Sequence, residues 1–579
     1  MYRIQLSLIG FILAFVLIYP TIWQATAASG ELGDVTLSEK KEGQSDWWNT
    51  DWEFRIRITV NAAGYERQEK PAGMTLDFDA LLSELGVTGL VNIDSLRVLE
   101  VDSSGGIIEN DVPFQYDHDP GSSDKGILTI LLTGITAADS ERYYYLYFDL
   151  QGTGYFPPPD VSDRITVADN VTDEQNLSVM VATEIGTYYY DKEGGGFSSL
   201  DDNQGKDWIN YSSASEAAGE FRGIPNLVPP AHGGYFHPGH SSVTTEIISQ
   251  GPIKTNILST TNDDKWQVLW EIFPRYAKLS VLKVPDNSNY WFLYEGTPGG
   301  SLDTGKDYVV RSNETQTLTS ESWEEDLQNE EWVYFAEGDP AVNRSLFLAH
   351  HKDDSNKESY RPMSELMTVF GFARILSDSS NGYFTESGQQ FTIGLVDDED
   401  VTVLRSAIRS AYRDLAITIA SPERRPYFLE IGTQGHGDVV VSPDLPEYAY
   451  GQEVVLHANA APGWEFRDWL GDLLGEDPDP TIVIEGDMNI TAVFEQKEYI
   501  LTLQKTGLGS VSKSPDKQYY YFGDNVELDA IPATGWKFMG WDGDVSGIDS
   551  KTTLTITDNK TVHAQFEEIK YYLPALFFK

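Results

Sequence analysis

The sequence predicts a mostly β, multidomain protein: an antiparallel β-sandwich, a large two-sheet β-domain closed by one helix, and two small β-rich repeats. Three observations carry this. Apolar and polar residues alternate with period two in many short runs bounded by Gly, Pro, Asn, Asp and Ser, as half-buried strands require. A single late segment has helical spacing instead. The C-terminal part repeats itself at a fixed offset. At 579 residues the chain has room for several domains, each with its own core.

Residues 1–28 read as an export signal. Arg3 supplies a positive start, Ile4–Ile18 is almost wholly apolar, and Ala25-Thr26-Ala27 offers small residues for cleavage. The apolar run is shorter than the roughly 20 residues a span needs and is broken by Ser7 and Gly10. The mature chain is therefore expected to have no transmembrane anchor and to be secreted or held at the cell surface. Residues 29–46 are polar and acidic, and are expected to be unfolded.

Forty-one basic against 90 acidic residues leave a net charge of −49, which opposes phosphate backbones and argues against a nucleic-acid partner. There is no cysteine, so neither disulfides nor thiolate metal sites are available. Large cores must supply the stability, and 14 Trp, 31 Tyr and 26 Phe are present to fill them.

Within 47–159, Phe54–Val60 alternates strictly, and Ser95–Val101, Gly126–Leu132 and Tyr143–Phe148 read as further strands, with a helical turn or two at Asp79–Leu85. An antiparallel sandwich follows. Its opening tryptophans, its middle DSLRVLEVD and its closing RYYYLYFD resemble a β-sandwich domain recurrent in exported bacterial proteins. The resemblance implies glycan binding, with Trp47, Trp48 and Trp52 either stacking on sugars or filling the core. Pro157-Pro158-Pro159 closes the unit as a stiff linker.

Residues 161–425 carry strands at Val243–Ser249, Lys254–Ser259, Trp266–Phe273, Ala277–Val284, Trp291–Glu295, Trp332–Ala336, Ser345–His350 and Phe391–Leu395. So many strands suggest two large stacked sheets. Val401, Leu404, Ile408 and Tyr412 then recur at helical spacing behind Asp397–Asp400, which can cap the start.

The repeats span 429–496 and 497–568. Gly437/Gly509, Pro443/Pro515, Gly463/Gly535, Trp464/Trp536, Trp469/Trp541, Gly471/Gly543 and Phe494/Phe566 are each 72 residues apart. The shared pattern, GWxFxxWxGD above all, resembles the divergent internalin-B-type repeat of bacterial surface proteins. That resemblance implies a spacer or adhesion role without catalysis. The tail, 569–579, is too short to span a membrane.

Chemistry concentrates in the central unit. GEFRGIPNLVPPAHGGYFHPGH, from Gly219 to His240, holds three of the nine histidines, His232, His237 and His240, among Arg222, Asn226 and Tyr235. Gly and Pro break regular structure there, so the loop is built to place side chains. Three imidazoles suit Zn²⁺, with Ca²⁺ the alternative ion, while loop histidines that brace a turn are the plainer reading. For direct action on a sugar two mechanisms compete. A lyase needs a His or Tyr base and a cation facing a uronate carboxylate, which His232, Tyr235, His237 and Arg222 could supply. A hydrolase needs two carboxyl groups, for which Asp207, Glu220, Glu271 and Glu295 are candidates; Glu271 interrupts the apolar run VLWEIF. The large two-sheet domain with an Arg/Asn/His/Tyr loop looks like the catalytic sandwiches of several polysaccharide lyases. GEFRGIPN and WFLYEGTPGG also look like an exported bacterial domain of unassigned activity, so no catalytic residue carries over.

The leading expectation is a protein that recognises and processes extracellular polysaccharide, or cell-wall material, through the central unit. The alternative is a non-catalytic adhesion or structural protein. In the first case Arg222, His232, Tyr235, His237 and His240 should converge on one concave face with His350 or His351, and Trp208 should offer a stacking platform.

Overall fold

The computed structural model describes residues 47–571 apart from 120, 123, 215–217, 340–341 and 379–380. The expected signal peptide, the linker and residues 572–579 of the tail lie outside the described residues. In the first unit, Phe54, Ile56, Ile58 and Val60 alternate inward along the strand Phe54–Asn61, each at most 1% exposed. That strand pairs with Glu141–Leu150, which pairs with Val91–Val101. A second sheet of Arg67–Asp77, Lys125–Thr136 and Phe114–His118 covers them, and an apolar core fills the space between. The expected helical turn is the helix Phe78–Glu84, capped by Asp77. Trp47, Trp48 and Trp52 form a packed cluster with Tyr145, Tyr147 and Phe156, with Arg55 over the rings of Trp47 and Tyr145 at 4.5 and 4.0 Å. Trp52 is buried there, and Trp47 and Trp48 are partly buried against it.

The central unit is two stacked nine-stranded sheets. The first runs in space from Trp323–Glu325 through Glu358–Met363, Met367–Phe372, Phe292–Gly296 and Gly223–Asn226 to the meander that begins at Thr166. The second runs from Val243–Gln250 through Thr255–Thr261, Gln267–Ile272, Ala277–Lys283, Gln390–Val396, Ser345–His350 and Glu331–Ala336 to Gln316–Leu318. Between them lies the largest core, including Trp208, Trp266, Trp270, Tyr294 and Phe391. The opening strand Thr166–Asp173 escapes sequence reading because it is an edge strand with no inward apolar row.

The helix Val401–Tyr412 forms where its spacing predicts, with the Asp400 carboxylate accepting from the amides of Thr402 and Val403. Such a cap stabilises by about 1 kcal/mol. Leu404, Ile408, Ala411 and Tyr412 pack on the outer face of the second sheet against Phe273, Tyr276, Trp332, Tyr334 and Phe347. Burying an aliphatic or aromatic side chain contributes about 1.5–3 kcal/mol each, so the stripe holds the helix more than its propensity does.

The boundary expected at 425 moves. After the helix, Ala416–Ile419 and Glu423–Arg424 leave the central unit and pair with Phe54–Asn61, adding an edge to the first unit's sheet. Arg67 fixes this crossing: its guanidinium is fully buried and donates to the carbonyls of Ala62, Arg413 and Asp414 at 2.6–2.9 Å. It also lies 3.4–3.5 Å from the carbonyls of Arg409 and Ser410 in the last helical turn, where a cation favours the helix dipole. The first two units are thereby clamped together.

Each repeat is a pair of three-stranded sheets. Leu429–Gln434 lies parallel to Met488–Gln496, and Leu501–Thr506 lies parallel to Lys560–Glu568. Trp469 and Trp541 are buried, and their indoles donate to the carbonyls of Asp477 and Asp549 at 2.7 and 2.9 Å. Gly471 and Gly543 adopt φ 93° and 94°, where a side chain would also strike the neighbouring strand's backbone.

Candidate functional site

The histidine loop does not assemble the expected site. His240 Nδ1 donates to the Gly234 carbonyl at 2.8 Å, and His237 Nδ1 donates to the Pro238 carbonyl at 2.7 Å. His237 is buried, with Nε2 3.6 Å from the Glu295 carboxylate, which also accepts from Asn226 Nδ2 at 3.0 Å. Burial opposes a charge on His237, but Glu295 outweighs it and raises the imidazole above its usual range. His232 Nε2 is buried with no hydrogen-bond partner among the described residues. Arg222 donates to the carbonyls of Asn210 and Leu366, and Tyr235 packs half-buried on the rim of the core. The proposed metal set of His232, His237 and His240 fails. Among the described residues the ligand atoms close enough for one ion belong to Glu331, His350 and Asp354 instead. There His350 sits between Glu331 and Gln389, and Glu331 also accepts from the Asp354 amide, so protein donors already occupy the group.

Three further expectations are corrected. Trp208 is fully buried in the intersheet core with its indole on Asp202, so it cannot stack on a ligand. Asp207 accepts from the amides of Leu200 and Ile209 at 2.9 Å and braces a turn. The two histidine groups do not share a face. Tyr294 points into the intersheet core, so Glu295 beside it, and His237 with it, lie on the outer side of the first sheet. His350 points between the sheets, onto Phe372, Phe384 and Phe391. His351 packs on Tyr412, beyond the outer face of the second sheet. Alternation along a strand sends neighbours to opposite sides, and no loop can recover that.

His351 and Glu271 do come together, in a cavity of about 370 Å³ where the two units meet. Lys70 to Gly73 and Thr129 of the first unit form one wall; Lys254, Glu271, Phe273, Tyr276 and Lys278 of the second sheet form another; Tyr412 and Asp414 at the helix end close it. A second hollow of about 240 Å³ shares His351, Gln390, Tyr412 and Asp414 and adds Lys352 and Arg413. Glu271 and Lys278 are directly opposite on neighbouring strands, with Nζ 2.6 Å from the carboxylate. Lys254 pairs with Asp117 at 2.7 Å and lies 3.9 Å from Glu271. Lys70 reaches inward because the strand shifts register between Gln68 and Lys70, with Glu69 at φ 45°. Such bulges re-aim the side chains beyond them.

Burial pushes the Lys70 ammonium down to about 7, with Arg67 and Lys278 adding to the effect. Burial likewise holds His351 well below the imidazole range, helped by Lys278 and Lys70, so the ring is neutral and a weak base. Its Nε2 lies 2.7 Å from the Thr392 hydroxyl. Tyr276 is shifted upward by burial and by Glu271, and keeps its proton. Lysines and tyrosines from distant segments carry no local motif. The usable signal was the position of Glu271 within an apolar strand and of His351 just past another.

Residues 427–498 and 499–570 each match the divergent InlB B-repeat domain. No curated protein sequence matches the chain. A solved structure titled "Crystal Structure Analysis of HI1317" is similar over 40% of this chain and 99% of its own, at 15% identity and a TM-score of 0.29. The two InlB-type repeats contribute no residue to the cavity lining. They attach to the first unit through Glu53, which accepts from Arg424 at 2.6 Å and Arg425 at 3.0 Å, while Arg425 also reaches Asp487 of the first repeat. Repeats of this type are typical of bacterial surface proteins. No helix among the described residues is long and apolar enough to cross a membrane.

Proposed function

We propose that the protein recognises and processes an extracellular polysaccharide, with the junction cavity as its sugar site. One observation carries the reading: the cavity joins aromatic surface from Phe273, Tyr276 and Tyr412 to convergent polar groups, Lys254, Glu271, Lys278 and His351. A sugar ring needs both, since its C–H face packs on aromatic rings while its hydroxyls seek charged and polar partners. The volume lies within the range of small-ligand pockets, about 300–1,000 Å³. For processing, Glu271 and His351 are the acid–base side chains that line the cavity. The export signal read from residues 1–28 and the surface-type repeats support an encounter with glycan outside the cell.

The test is incubation of the full chain with a panel of polysaccharides, reading new reducing ends and ultraviolet-absorbing unsaturated ends. Cleavage of at least one glycan, lost in Glu271→Ala and His351→Ala, is expected. Binding to cell-wall material without cleavage of any glycan would make the protein an adhesin instead.

A further inference from the structure

We propose that the junction cavity takes a sugar carboxylate, a hexuronate unit, with the Lys70 ammonium as its charge partner. This rests on the cavity being the sugar site and names the class of sugar. Lys70 is 7% exposed, and its Nζ has two neutral partners, the Ala411 carbonyl at 2.7 Å and the Tyr276 hydroxyl at 3.3 Å. Among the described residues it enters no ion pair with a carboxylate, whereas Lys278 and Lys254 are matched by Glu271 and Asp117. A buried ammonium without a counter-ion is costly, and a ligand carboxylate removes that cost. The chain as a whole, at −49, repels anionic glycans, so an acidic sugar needs a local cation of this kind.

The groups facing Lys70 are Arg67 from its own strand, Lys254, Glu271, Tyr276 and Lys278 from the second sheet, His351 past the end of another of its strands, and Asp414 beyond the helix. Of these, Arg67 and Lys278 disfavour its charge, while Asp414 and Glu271 favour it more weakly. A bound carboxylate would favour the charged form, so binding near neutral pH must take up a proton.

The experiment is calorimetric titration of the full chain near pH 7 in two buffers of different ionisation heat. The probes are an oligogalacturonate, a neutral galactose oligomer of equal length, and acetate. The oligogalacturonate is expected to bind at least about tenfold more tightly than the neutral oligomer, with uptake approaching about half a proton. Lys70→Met should weaken it by more than about tenfold and abolish the uptake, with the melting transition retained. Lys70→Arg keeps the charge but cannot titrate, so it should bind without uptake and serves if Lys70→Met does not fold. Equal affinity for both oligomers, or uptake that persists in Lys70→Arg, overturns the proposal. Acetate binding as tightly as the oligogalacturonate overturns its sugar component. Neutral glycan bound and cleaved while the uronate is ignored would leave the glycan reading intact and sink this inference alone.

Discussion

The InlB-type repeats and the two units before them solve the same stability problem in opposite ways. Among the described residues of 427–571, every buried side chain is apolar or aromatic. Their ion pairs, such as Arg467 with Glu495 and Lys537 with Glu567, lie in the open. The preceding units bury Arg67, Lys70, Lys254, Glu295, Asp307, Glu331, His350, Glu358 and Arg374. Buried charge is weak evidence of stabilisation, since apolar residues of similar size often do as well. Where a chain accepts that cost in one region and avoids it in another, the region that accepts it is the better place to look for chemistry. The junction offers groups with altered proton affinity, such as Lys70 and His351.

The sharpest way to break this comparison is in the repeat core. Trp469→Ala should destabilise the first repeat by about 3–5 kcal/mol, as large-to-small core changes do, and give it a separate low-temperature melting transition. The first two units should melt as before. A single transition shifted as a whole would mean that the repeats are part of the same cooperative core.

Next in size is pH. Burial pushes the Glu358 carboxyl up to about 9, with Glu331 adding, and pushes Asp307 up to about 7. Both are therefore protonated when folded at pH values where the unfolded chain has lost those protons. Their contribution is fully present below about 4.5, the usual carboxylate range, and declines as pH rises towards the folded values. Glu330 works in the other direction. Burial opposes it, but Arg409 and Arg413 hold its carboxyl down to about 2, so its contribution is present above about 4.5 and lost as pH falls through 2. The melting temperature of the first two units should fall between pH 5 and 7, where Glu358 and Asp307 act together. It should level off between 7 and 9, where Lys70, pushed down to about 7 when folded, gains stability as pH rises; Glu358→Gln should flatten the fall. An isolated pair of repeats has no comparable buried group and should show little change; an equal slope in both would erase the contrast.

A smaller effect is expected at the joint. Arg425→Ala removes a partly exposed link between Glu53 and Asp487 and should cost about 1 kcal/mol or less. Small-angle scattering should nevertheless report a wider spread of repeat orientations. The least effect is expected from deletion of 429–568. Cleavage of a small soluble glycan should be unchanged, since no repeat residue lines the cavity. Loss of that activity would end the spacer interpretation.

The sequence by itself determined what is local and periodic. Phe54–Asn61 and Val401–Tyr412 stand where their spacing puts them, because an apolar face that repeats every 2 or 3.6 residues can be buried in only one way. The 72-residue offset likewise made the repeats legible, since a module must rebuild the same small core each time. Candidate chemistry was legible only in part. His351 and Glu271 are in the cavity, whereas the conspicuous loop from Gly219 to His240 ties His237 and His240 to its own carbonyls. Only the tertiary structure decided the rest. Lys70 and Lys278 are 208 positions apart in the chain, and a bulge at Glu69, a helix end held by Arg67 and a strand returning to the first unit bring them to one cavity. Proximity of that kind depends on how separate faces dock, and a run of residues encodes the faces without encoding which of them will meet.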